Sequence, residues 1–593
     1  MIKAVQRGDL YALSFRYDPM LVHYMHQIPG AAWEPSQKLW MIHKNQLGTF
    51  LRLIKGTVYD TQTEIYSDED INVNATVDST DKAEIPDIDI SDIDIYVKEG
   101  EHLFQHQIDF LKWAKSRGRR GFILADEPGG GKTLSVINYS LYMRKTAGYK
   151  HCLILCCVNV AKFSWQSDIA KHTPERSHII GSKRLRNGKM RYNGSGIDKL
   201  SDLAERKTHS GDDLPYFLIM NIESLRLEKG AIVKQIIDMV NSGEINMIVL
   251  DECHKNMSPK SQQGKAVLEI KKKTGGAAQW ISVTGTPITS KPTDVYTPLK
   301  LIDAHTFKNF WLWQQYFCVF GGYDDHEILA YRNIPELKAM LQGNMIRRLK
   351  EDVLDLPEKI RMTEYVELTP YQERMYDDIK ADMLQHENEI VTSLNPLTKF
   401  LRLRQACGFP EYLDAELQVD NKYLNFNSKM RRCIELIDEI IERGEKVVVF
   451  SQWVTPLRTL YRLISTRCKV ACYTGTMDEA LKEQHKKAFI ENPEVKVLIG
   501  TIGAIGTSST LVVANNLIFI DEPWNPSDRL QAEDRIHRIG ATKSANIYTI
   551  IAKDTVDDSV HTILEDKELI SKYIVDGVID MKKNPELFKQ LLS

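Results

Sequence analysis

The chain has 593 residues, of which 43% are hydrophobic and 26% are charged, and its formal net charge is −3. This composition is typical of a globular protein of several domains and excludes a disordered chain. No apolar run reaches the roughly 18 residues that a membrane-spanning helix needs, and no secretory signal is visible. The nine cysteines form no CxxC pair, so a reducing compartment is expected, with neither a disulfide framework nor a zinc site.

Residues 1–58 are predicted to form a small α+β unit rich in aromatic side chains. ALSFRY alternates as a strand does, and AAWEPSQKLWMI is typical of a hairpin that turns at Pro35, Ser36 and Gln37. Residues 59–100 follow, with many acids and few aromatics. Within them, DIDISDIDIYV has the alternation of an edge strand, but the composition favours a solvated acidic linker.

Two series of short apolar runs follow, separated by helical or polar stretches. The first is GFILA, CLILCCV, YFLIM, MIVLD and WISVTG, and the second is KVVVFS, VACYTG, VKVLIGT, NLIFID and ANIYTII. Runs of this kind predict buried parallel strands. We predict an α/β fold with a first lobe over 101–360, connecting helices over 361–427 and a second lobe over 428–593.

The segment DEPGGGKT after the first run has the pattern of a phosphate-binding loop. Its glycines let the backbone approach phosphate oxygens, and the following helix presents its N-terminal N–H groups. Lys132 would reach the β- and γ-phosphates of ATP, and the Thr133 hydroxyl would bind Mg²⁺. Asp126 stands where the usual GxxxxGK[ST] pattern has its first glycine. The residues predicted to surround the phosphates are Asp126, Gly129, Gly130, Gly131, Lys132 and Thr133.

The run MIVLDECH predicts a buried strand that ends in Asp251 and Glu252. Asp251 can hold Mg²⁺ through water, and Glu252 can polarise the attacking water. Adjacent carboxylates are common on protein surfaces, and these become informative because they follow a phosphate loop in the same lobe. His254 is predicted to couple the site to motion, with a helix cap or a surface group as the alternative.

A basic segment, SKRLRNGKMRY, stands out in a chain that is almost neutral. Clustered cations can bind a nucleic-acid backbone even when the total charge is small. A solvated loop is the alternative interpretation. The candidate phosphate contacts are Lys183, Arg184, Arg186, Lys189 and Arg191.

In their order along the chain, these motifs resemble those of the Swi/Snf-type ATPases of helicase superfamily two. DEPGGGKT resembles their DEMGLGKT, DECHKNMSPKSQQGKA their DEAHRIKNxxSKxxKA, VTGTPITS their LTGTPIxN, and MIRRLKEDVLDLPEK their RRxKxDVLxxLPxK. The resemblance continues from LIFIDEPW to AKDTVDD and covers roughly residues 103–575. Departures occur at Pro128, where methionine is usual, at Ala541, where glutamine is usual, and in the loosely matching TIGAIGTSSTL.

The resemblance implies two RecA-like lobes with ATP and Mg²⁺ in the cleft between them. It implies that Gln107 reads adenine, and that Thr284 and Thr286 join hydrolysis to the grip on DNA. It also implies that Arg535 and Arg538, three apart on one face of a short helix, point at the γ-phosphate, with Gln531 ordering that helix. A solvated basic helix face is the alternative for the two arginines.

The N-terminal unit resembles the HARP domain of annealing helicases. The matching positions are Tyr17, Trp33, Lys38 and Trp40. The resemblance implies a DNA-binding face in which rings stack on exposed bases and Lys38 contacts phosphate. The alternative is that these aromatics form the core of the hairpin.

The sequence therefore predicts a DNA-dependent ATPase that translocates on double-stranded or branched DNA, with fork remodelling or strand annealing, and thus DNA repair, as candidate roles. We expect the acidic linker to repel plain duplex. The alternatives are an ATP-switched DNA-binding clamp and an RNA helicase. We expect a monomer without membrane association, in the cytoplasm of a bacterium or virus-infected cell, or in a nucleus.

Overall fold

The fold was analysed in a computed structural model. It describes residues 2–576 except 8, 16–17, 35–38, 56–58, 60–62, 67–84, 158–160, 186–189, 193, 209–214, 255–257, 290, 304–308, 322–326, 388–395, 415–416, 418–420 and 506–509. Within this part of the chain, no helix is long and apolar enough to cross a membrane. All nine cysteines lie in it and are free thiols.

The N-terminal unit is a five-stranded sheet with two helices. Its elements are β1 (Ile2–Arg7), β2 (Leu10–Ser14), α1 (Pro19–His26), β3 (Ala32–Glu34), β4 (Leu39–His43), α2 (Leu47–Ile54) and β5 (Thr63–Tyr66), with the strand order β3-β4-β2-β1-β5. The predicted hairpin is confirmed as β3 and β4, although its turn at Pro35, Ser36 and Gln37 lies outside the described residues. The unit does not end at residue 58, because β5 pairs with β1 and belongs to the same sheet.

The described part of the acidic segment, residues 85–100, is neither an edge strand nor a solvated linker. It contains no strand and lies against the first lobe, with Ile93 buried. The buried Asn138 amide accepts from Tyr96 N at 2.7 Å and donates to Tyr96 O at 3.0 Å. Two of its acids form ion pairs with lysines on the lobe surface, Asp92 with Lys115 and Asp94 with Lys145, and Glu101, just after the segment, pairs with Lys171. These ion pairs offset part of the negative charge of residues 85–100, and repulsion of duplex DNA by the acidic linker stays a prediction.

The first lobe is built on a seven-stranded parallel sheet with the order β16-β6-β13-β12-β7-β11-β8. The strands of the lobe are β6 (Phe122–Leu124), β7 (His151–Cys156), β8 (Ser177–Ile179), β9 (Lys183–Arg184), β10 (Met190–Arg191), β11 (Phe217–Asn221), β12 (Ile245–Asp251), β13 (Gln279–Val283), β14 (Cys318–Gly321), β15 (Glu327–Tyr331) and β16 (Met345–Ile346). The five predicted strands are confirmed and occupy the centre of the sheet, where both faces are covered. The pairs β9–β10 and β14–β15 form separate hairpins.

Helices cover this sheet. They are α3 (Gln105–Ser116), α4 (Lys132–Ala147), α5 (Ala161–His172), α6 (Gly196–Thr208), α7 (Ala231–Asn241), α8 (Gln262–Thr274), α9 (Tyr296–Ile302), α10 (Phe310–Phe317), α11 (Ile334–Gln342) and α12 (Lys350–Val353). Because all strands of this parallel sheet run in the same direction, the segments that follow them meet at one edge of the sheet. This carboxyl edge carries the phosphate loop after β6 and Asp251 at the end of β12.

The second lobe has a six-stranded parallel sheet with the order β17-β22-β21-β18-β20-β19. Its strands are β17 (Lys359–Val366), β18 (Val447–Ser451), β19 (Lys469–Tyr473), β20 (Val495–Thr501), β21 (Asn516–Phe519) and β22 (Ala545–Ala552). The five predicted strands are again confirmed. β17 corrects the predicted boundaries, because residues 361–366 were assigned to connecting helices and instead pair with β22.

The helices of the second half begin at residue 370, and the first two of them are the predicted connecting helices. They are α13 (Pro370–Glu387), α14 (Pro396–Gly408), α15 (Ser428–Glu442), α16 (Val454–Ile464), α17 (Glu479–Glu491), α18 (Ile502–Ile505), α19 (Pro526–Glu533) and α20 (Val556–Asp576). The connecting helices α13 and α14 pack against each other and against the start of α20, around Tyr376 and Leu403. The two parallel sheets bear out the predicted α/β architecture.

Candidate active site between the two lobes

The phosphate loop has a backbone shape that only glycine adopts without strain. Gly129 and Gly131 have φ angles of 87° and 75°, and Gly131 is the N-cap residue of α4. A Cβ atom on Gly131 would lie 2.5 Å from Gln107 Nε2, and one on Gly130 would lie 3.3 Å from Glu127 O. The loop is therefore closely packed from behind, and the N-terminus of α4 stays available to an anion.

Gln107 and Lys132 both contact this loop directly. The Gln107 side chain accepts from Phe104 N at 3.0 Å and donates to Gly131 O at 3.3 Å. Lys132 Nζ donates to Asp126 O at 2.7 Å and to Glu127 O at 3.1 Å. Burial lowers the pKa of Lys132, and the nearby carboxylates oppose that shift. The adenine contact predicted for Gln107 stays a prediction, since its amide here supports the loop.

Asp126 has a supporting position rather than one that faces an anion. Arg348 Nε donates to Asp126 Oδ1 at 2.8 Å, and the second arm of the guanidinium pairs with Oδ2. Arg347 Nη1 donates to Ala125 O at 2.8 Å and to Gly285 O at 3.0 Å. The carboxylate that replaces the usual first glycine is thus neutralised by an arginine and anchors the loop.

Asp251 and Glu252 lie at the carboxyl edge, as predicted. Trp165, on α5, donates its indole N–H to Asp251 Oδ2 at 2.9 Å. Burial and the adjacent Glu252 raise the pKa of Asp251 to about 7, while the Trp165 hydrogen bond acts in the opposite direction. Glu252 has a φ of 51°, and its buried Oε2 lies 3.3 Å from His254 Nδ1 without the geometry of a hydrogen bond. Such strain in a non-glycine residue is typical of functional sites.

The oxygen donors of this site fit the hard cation Mg²⁺. Thr133 follows Lys132 at the start of α4 and would supply a hydroxyl, while Asp251 would supply a carboxylate at the end of β12. Mg²⁺ prefers such oxygen ligands together with phosphate oxygens. The buried Glu252 oxygen is a further acceptor beside them.

Three of the four residues predicted to couple the site to motion form one chain of contacts next to Glu252, while the fourth, Gln531, lies on α19 of the second lobe. His254 Nδ1 lies 2.8 Å from Thr284 Oγ1 and 3.3 Å from Glu252 Oε2. Thr286 N donates to Thr284 Oγ1 at 3.1 Å. A change at Glu252 can therefore reach the loop after β13 through direct contacts.

Arg535 and Arg538 approach the phosphate loop from the second lobe. They do not lie on a helix face, because α19 ends at Glu533 and both arginines follow in turns. Arg535 Nε donates to Gln531 O at 2.9 Å, and burial together with Arg538 lowers the pKa of Arg535 to about 10. A Cβ atom on Gly129 would lie 3.3 Å from Arg538 Cγ. The two lobes thus bring arginine and phosphate loop together.

Comparison with known proteins identifies this arrangement. The SNF2-related domain matches residues 106–412, and the helicase conserved C-terminal domain matches residues 428–540. The chain belongs to the SNF2 family. The first match covers the whole sheet of the first lobe, and the second covers strands β18 to β21 of the second lobe.

Relatives of this chain include proteins of bacteria and animals. An uncharacterized ATP-dependent helicase of Mycoplasma pneumoniae is 25% identical over 86% of this chain and 46% of its own length. A Caenorhabditis elegans homolog of SWI/SNF-related matrix-associated actin-dependent regulator of chromatin subfamily A-like protein 1 is 24% identical over 94% of this chain and 74% of its own length. The chain spans about half the length of several curated relatives that it matches.

A solved structure is also similar to this SNF2-family chain. It is the Sulfolobus solfataricus SWI2/SNF2 ATPase core in complex with dsDNA, with 22% identity, coverage of 84% of this chain and 98% of that chain, and a TM-score of 0.35.

The structure adds residues that the sequence analysis left without a role. Arg347, Arg348 and Lys350, in the SNF2-like run MIRRLKEDV, follow the edge strand β16. Arg348 and Lys350 contact the phosphate loop, and Arg347 bonds to Ala125 just before it. Trp165 is a further addition, through its bond to Asp251. The sequence does contain a signal for these basic residues. They follow a short apolar run, and cations that follow a strand of a parallel sheet lie at the carboxyl edge of that sheet. Nothing local in the sequence marks Trp165.

The predicted DNA contacts of this SNF2-family chain are only partly described. Lys183 and Arg184 form β9 and Arg191 belongs to β10, which together make an exposed hairpin. Lys183 forms an ion pair with Asp198. The remaining candidates Arg186, Lys189, Lys38 and Tyr17 lie outside the described residues.

The two tryptophans of the N-terminal unit have different environments. Trp33 is 46% exposed, whereas Trp40 is 7% exposed and belongs to the core of the unit. Their rings lie 5.7 Å apart, and His26 packs edge-on against Trp40 at 5.1 Å. The prediction that Trp40 stacks on bases is therefore wrong, since its ring fills the core, while Trp33 remains a candidate.

Proposed function

We propose that the chain is an ATP-hydrolysing motor that moves along double-stranded DNA. The observation that carries the proposal is the contact between the lobes at Gly129, where Arg538 of the second lobe meets the phosphate loop of the first. A phosphate bound in that loop would lie between both lobes. Binding and release of the phosphate would then change how the lobes sit together, which is what a translocating motor requires.

The proposed roles follow from the site. Lys132 and the loop backbone bind the β- and γ-phosphates, and Glu252 orients and polarises the attacking water. Arg535 and Arg538 stabilise the charge that develops on the transferred phosphoryl group, because a planar guanidinium matches its oxygens. Mg²⁺, held by Thr133 and Asp251, would supply charge neutralisation at the phosphates.

DNA as the substrate is supported by the position of the basic hairpin. β8 is parallel to the central strands, so the hairpin β9–β10 that follows it starts from the same carboxyl edge as the ATP site. Tyr192, next to β10, packs edge-on against Phe163 of α5 with ring centroids 5.2 Å apart. Two residues later, Trp165 donates to Asp251. A nucleic acid that contacts the hairpin would thus be linked by direct packing to the metal-binding carboxylate.

A rate measurement tests the proposal. ATP hydrolysis is measured without nucleic acid and with single-stranded, duplex and forked DNA and with RNA. Stimulation by duplex DNA is expected. A greater effect of RNA would favour an RNA helicase, and ATP binding without turnover under any condition would favour a switched clamp.

Neutralising the basic hairpin should reduce the salt dependence of DNA binding. The variant Lys183→Gln/Arg184→Gln/Arg191→Gln removes three exposed cations at the carboxyl edge. The slope of log affinity against log salt should become shallower by about 0.9 for each phosphate of duplex DNA that is no longer neutralised. The measurement is a series of binding titrations between low and physiological salt.

A matched variant removes the same number of charges from the opposite edge. Lys272 and Lys273 end α8, which runs back to the start of β13, and Arg119 precedes β6. Lys272→Gln/Lys273→Gln/Arg119→Gln should leave the slope unchanged. If both triple variants showed the same salt dependence of DNA binding, the hairpin would not be a DNA contact.

The N-terminal unit is proposed to direct the motor to forked or partly single-stranded DNA. The support is the exposed ring of Trp33 on a compact unit with its own core. Trp33→Ala should lower the preference for forked over plain duplex DNA by about tenfold, because stacking on an aromatic contributes roughly 1–3 kcal/mol per base. Duplex-stimulated ATP hydrolysis should stay unchanged.

The design of a truncation follows from the structure. A truncated protein should begin at Ile85 and not near Glu99, because Ile93 and Tyr96 pack on the first lobe. It should hydrolyse ATP on duplex DNA and lose its fork preference. The control for Trp33→Ala is Met20→Ala in the full chain, which removes another exposed apolar side chain of the same unit and should keep the fork preference. If the truncated protein kept its full fork preference, the unit would be a structural cap.

A further inference from the structure

Lys350 lies at the boundary between the two lobes and touches both. It begins α12, just after the edge strand β16 of the first lobe, and is only 7% exposed. Its backbone N–H donates to Glu127 Oε2 in the phosphate loop at 2.9 Å. Its ammonium donates to His537 O at 3.0 Å and forms an ion pair with Asp534, and both partners belong to the second lobe.

The ammonium also lies beside the phosphate loop. A Cβ atom on Gly129 would lie 3.2 Å from both Cε and Nζ of Lys350, close to Cγ of Arg538. Gly129 belongs to the loop whose backbone is proposed to surround the phosphates, and Lys132 begins the helix behind that loop. Lys350 is therefore a further cation beside the loop that is proposed to surround the phosphates.

Asp534 is the counter-ion of Lys350 in this arrangement. Burial lowers the pKa of Lys350, and Asp534 acts in the opposite direction. A buried cation without a carboxylate partner is strongly unfavourable, so the pair persists until another anion replaces the carboxylate. A triphosphate is such an anion, because its oxygens accept strong charge-assisted hydrogen bonds. ATP and Asp534 would compete for one ammonium group.

We infer that Lys350 is a further ATP-contacting residue, held by Asp534 when no nucleotide is bound and transferred to the terminal phosphate when ATP binds. The inference rests on the proposed ATPase function and adds a residue to its site. The exchange breaks a contact between the lobes at the residue that precedes Arg535. Arrival of ATP would thus release the segment that carries the catalytic arginines.

The test compares the two partners of the pair in the full chain. Binding of ATP and of ADP, each with Mg²⁺, is titrated for Lys350→Met and Asp534→Asn. Lys350→Met should weaken ATP binding by about tenfold or more, the effect of removing a hydrogen bond to a charged group, and ADP binding by much less. Asp534→Asn should tighten ATP binding relative to ADP, because it removes the competitor. A merely structural ion pair predicts effects of the same sign in both variants.

Further variants keep the outcome decisive. Lys350→Arg retains the charge and should recover most of the ATP affinity that Lys350→Met removes. If Lys350→Met does not fold, Asp534→Asn decides, and unchanged or weaker ATP binding relative to ADP overturns the inference. Equal reductions of ATP and ADP affinity in Lys350→Met also overturn it. If the unaltered chain bound no ATP, the proposed function would be overturned as well. If the unaltered chain bound and hydrolysed ATP normally and Lys350→Met did not change ATP binding, only this inference would be overturned.

Discussion

Replacing Arg535 or Arg538 by alanine is expected to lower DNA-stimulated ATP hydrolysis by about 10³-fold or more, the effect of removing an arginine finger. Both residues belong to the second lobe, and Arg538 reaches Gly129 of the phosphate loop. ATP binding should change far less, because the guanidinium contact strengthens mainly in the transition state. Single-turnover rates and ATP titrations of each variant measure the two effects separately.

Two further substitutions guard against a folding artefact. Arg535→Lys keeps the positive charge at a buried position, and most of the rate loss should remain, because an ammonium cannot reproduce the planar fork of a guanidinium. Lys543→Ala removes an exposed cation of the same lobe, paired with Glu445, and should be silent. An alanine variant that retained full DNA-stimulated turnover would show that its arginine is not a finger.

Replacing Glu252 by glutamine is expected to reduce ATP turnover by about 10²–10⁴-fold, the usual contribution of a general base, with little effect on ATP binding. Glutamine has the same shape but cannot accept the proton of the attacking water. The buried Oε2 atom without a hydrogen-bond partner among the described residues is the acceptor that this substitution removes. Nucleotide titration and a steady-state rate on duplex DNA provide the two measurements.

Lys132→Ala should behave in the opposite way. Its ammonium donates to two backbone carbonyl oxygens of the loop and is proposed to bind the phosphates, so its removal should weaken ATP binding itself. The pair of variants thus separates binding from chemistry. Normal hydrolysis by Glu252→Gln would refute the assignment of Glu252 as the base.

The central strands of both sheets could be predicted because each is a short apolar run buried on two faces. The strands that the sequence analysis missed, β8, β16 and β17, lie at sheet edges. β17 carries alternating polar side chains along KIRMTEYV and leaves no apolar run to recognise. Its place in the second lobe depends on pairing with β22, which follows it by almost two hundred residues.

The acidic segment is a second part of the chain whose structure could not be predicted from its local sequence. Its composition indicates solvation, and no local pattern reveals that Lys115 and Lys145 pair with its acids or that Asn138 binds the Tyr96 backbone. In the N-terminal unit the sequence left Trp40 open between core and DNA contact. The structure places the Trp40 ring in the core, because the ring is buried and packs against Trp33 and His26.

By itself, the sequence determined the family, the two-lobe α/β architecture and the residues that end the central strands, because glycine loops, apolar runs and terminal carboxylates are local patterns. Only the tertiary structure decided which distant groups meet. Trp165 reaches Asp251 across 86 positions of the chain, and Lys350 reaches Asp534 across 184. Such contacts depend on how parallel strands are ordered and how the lobes face each other, and no spacing within a single segment encodes that.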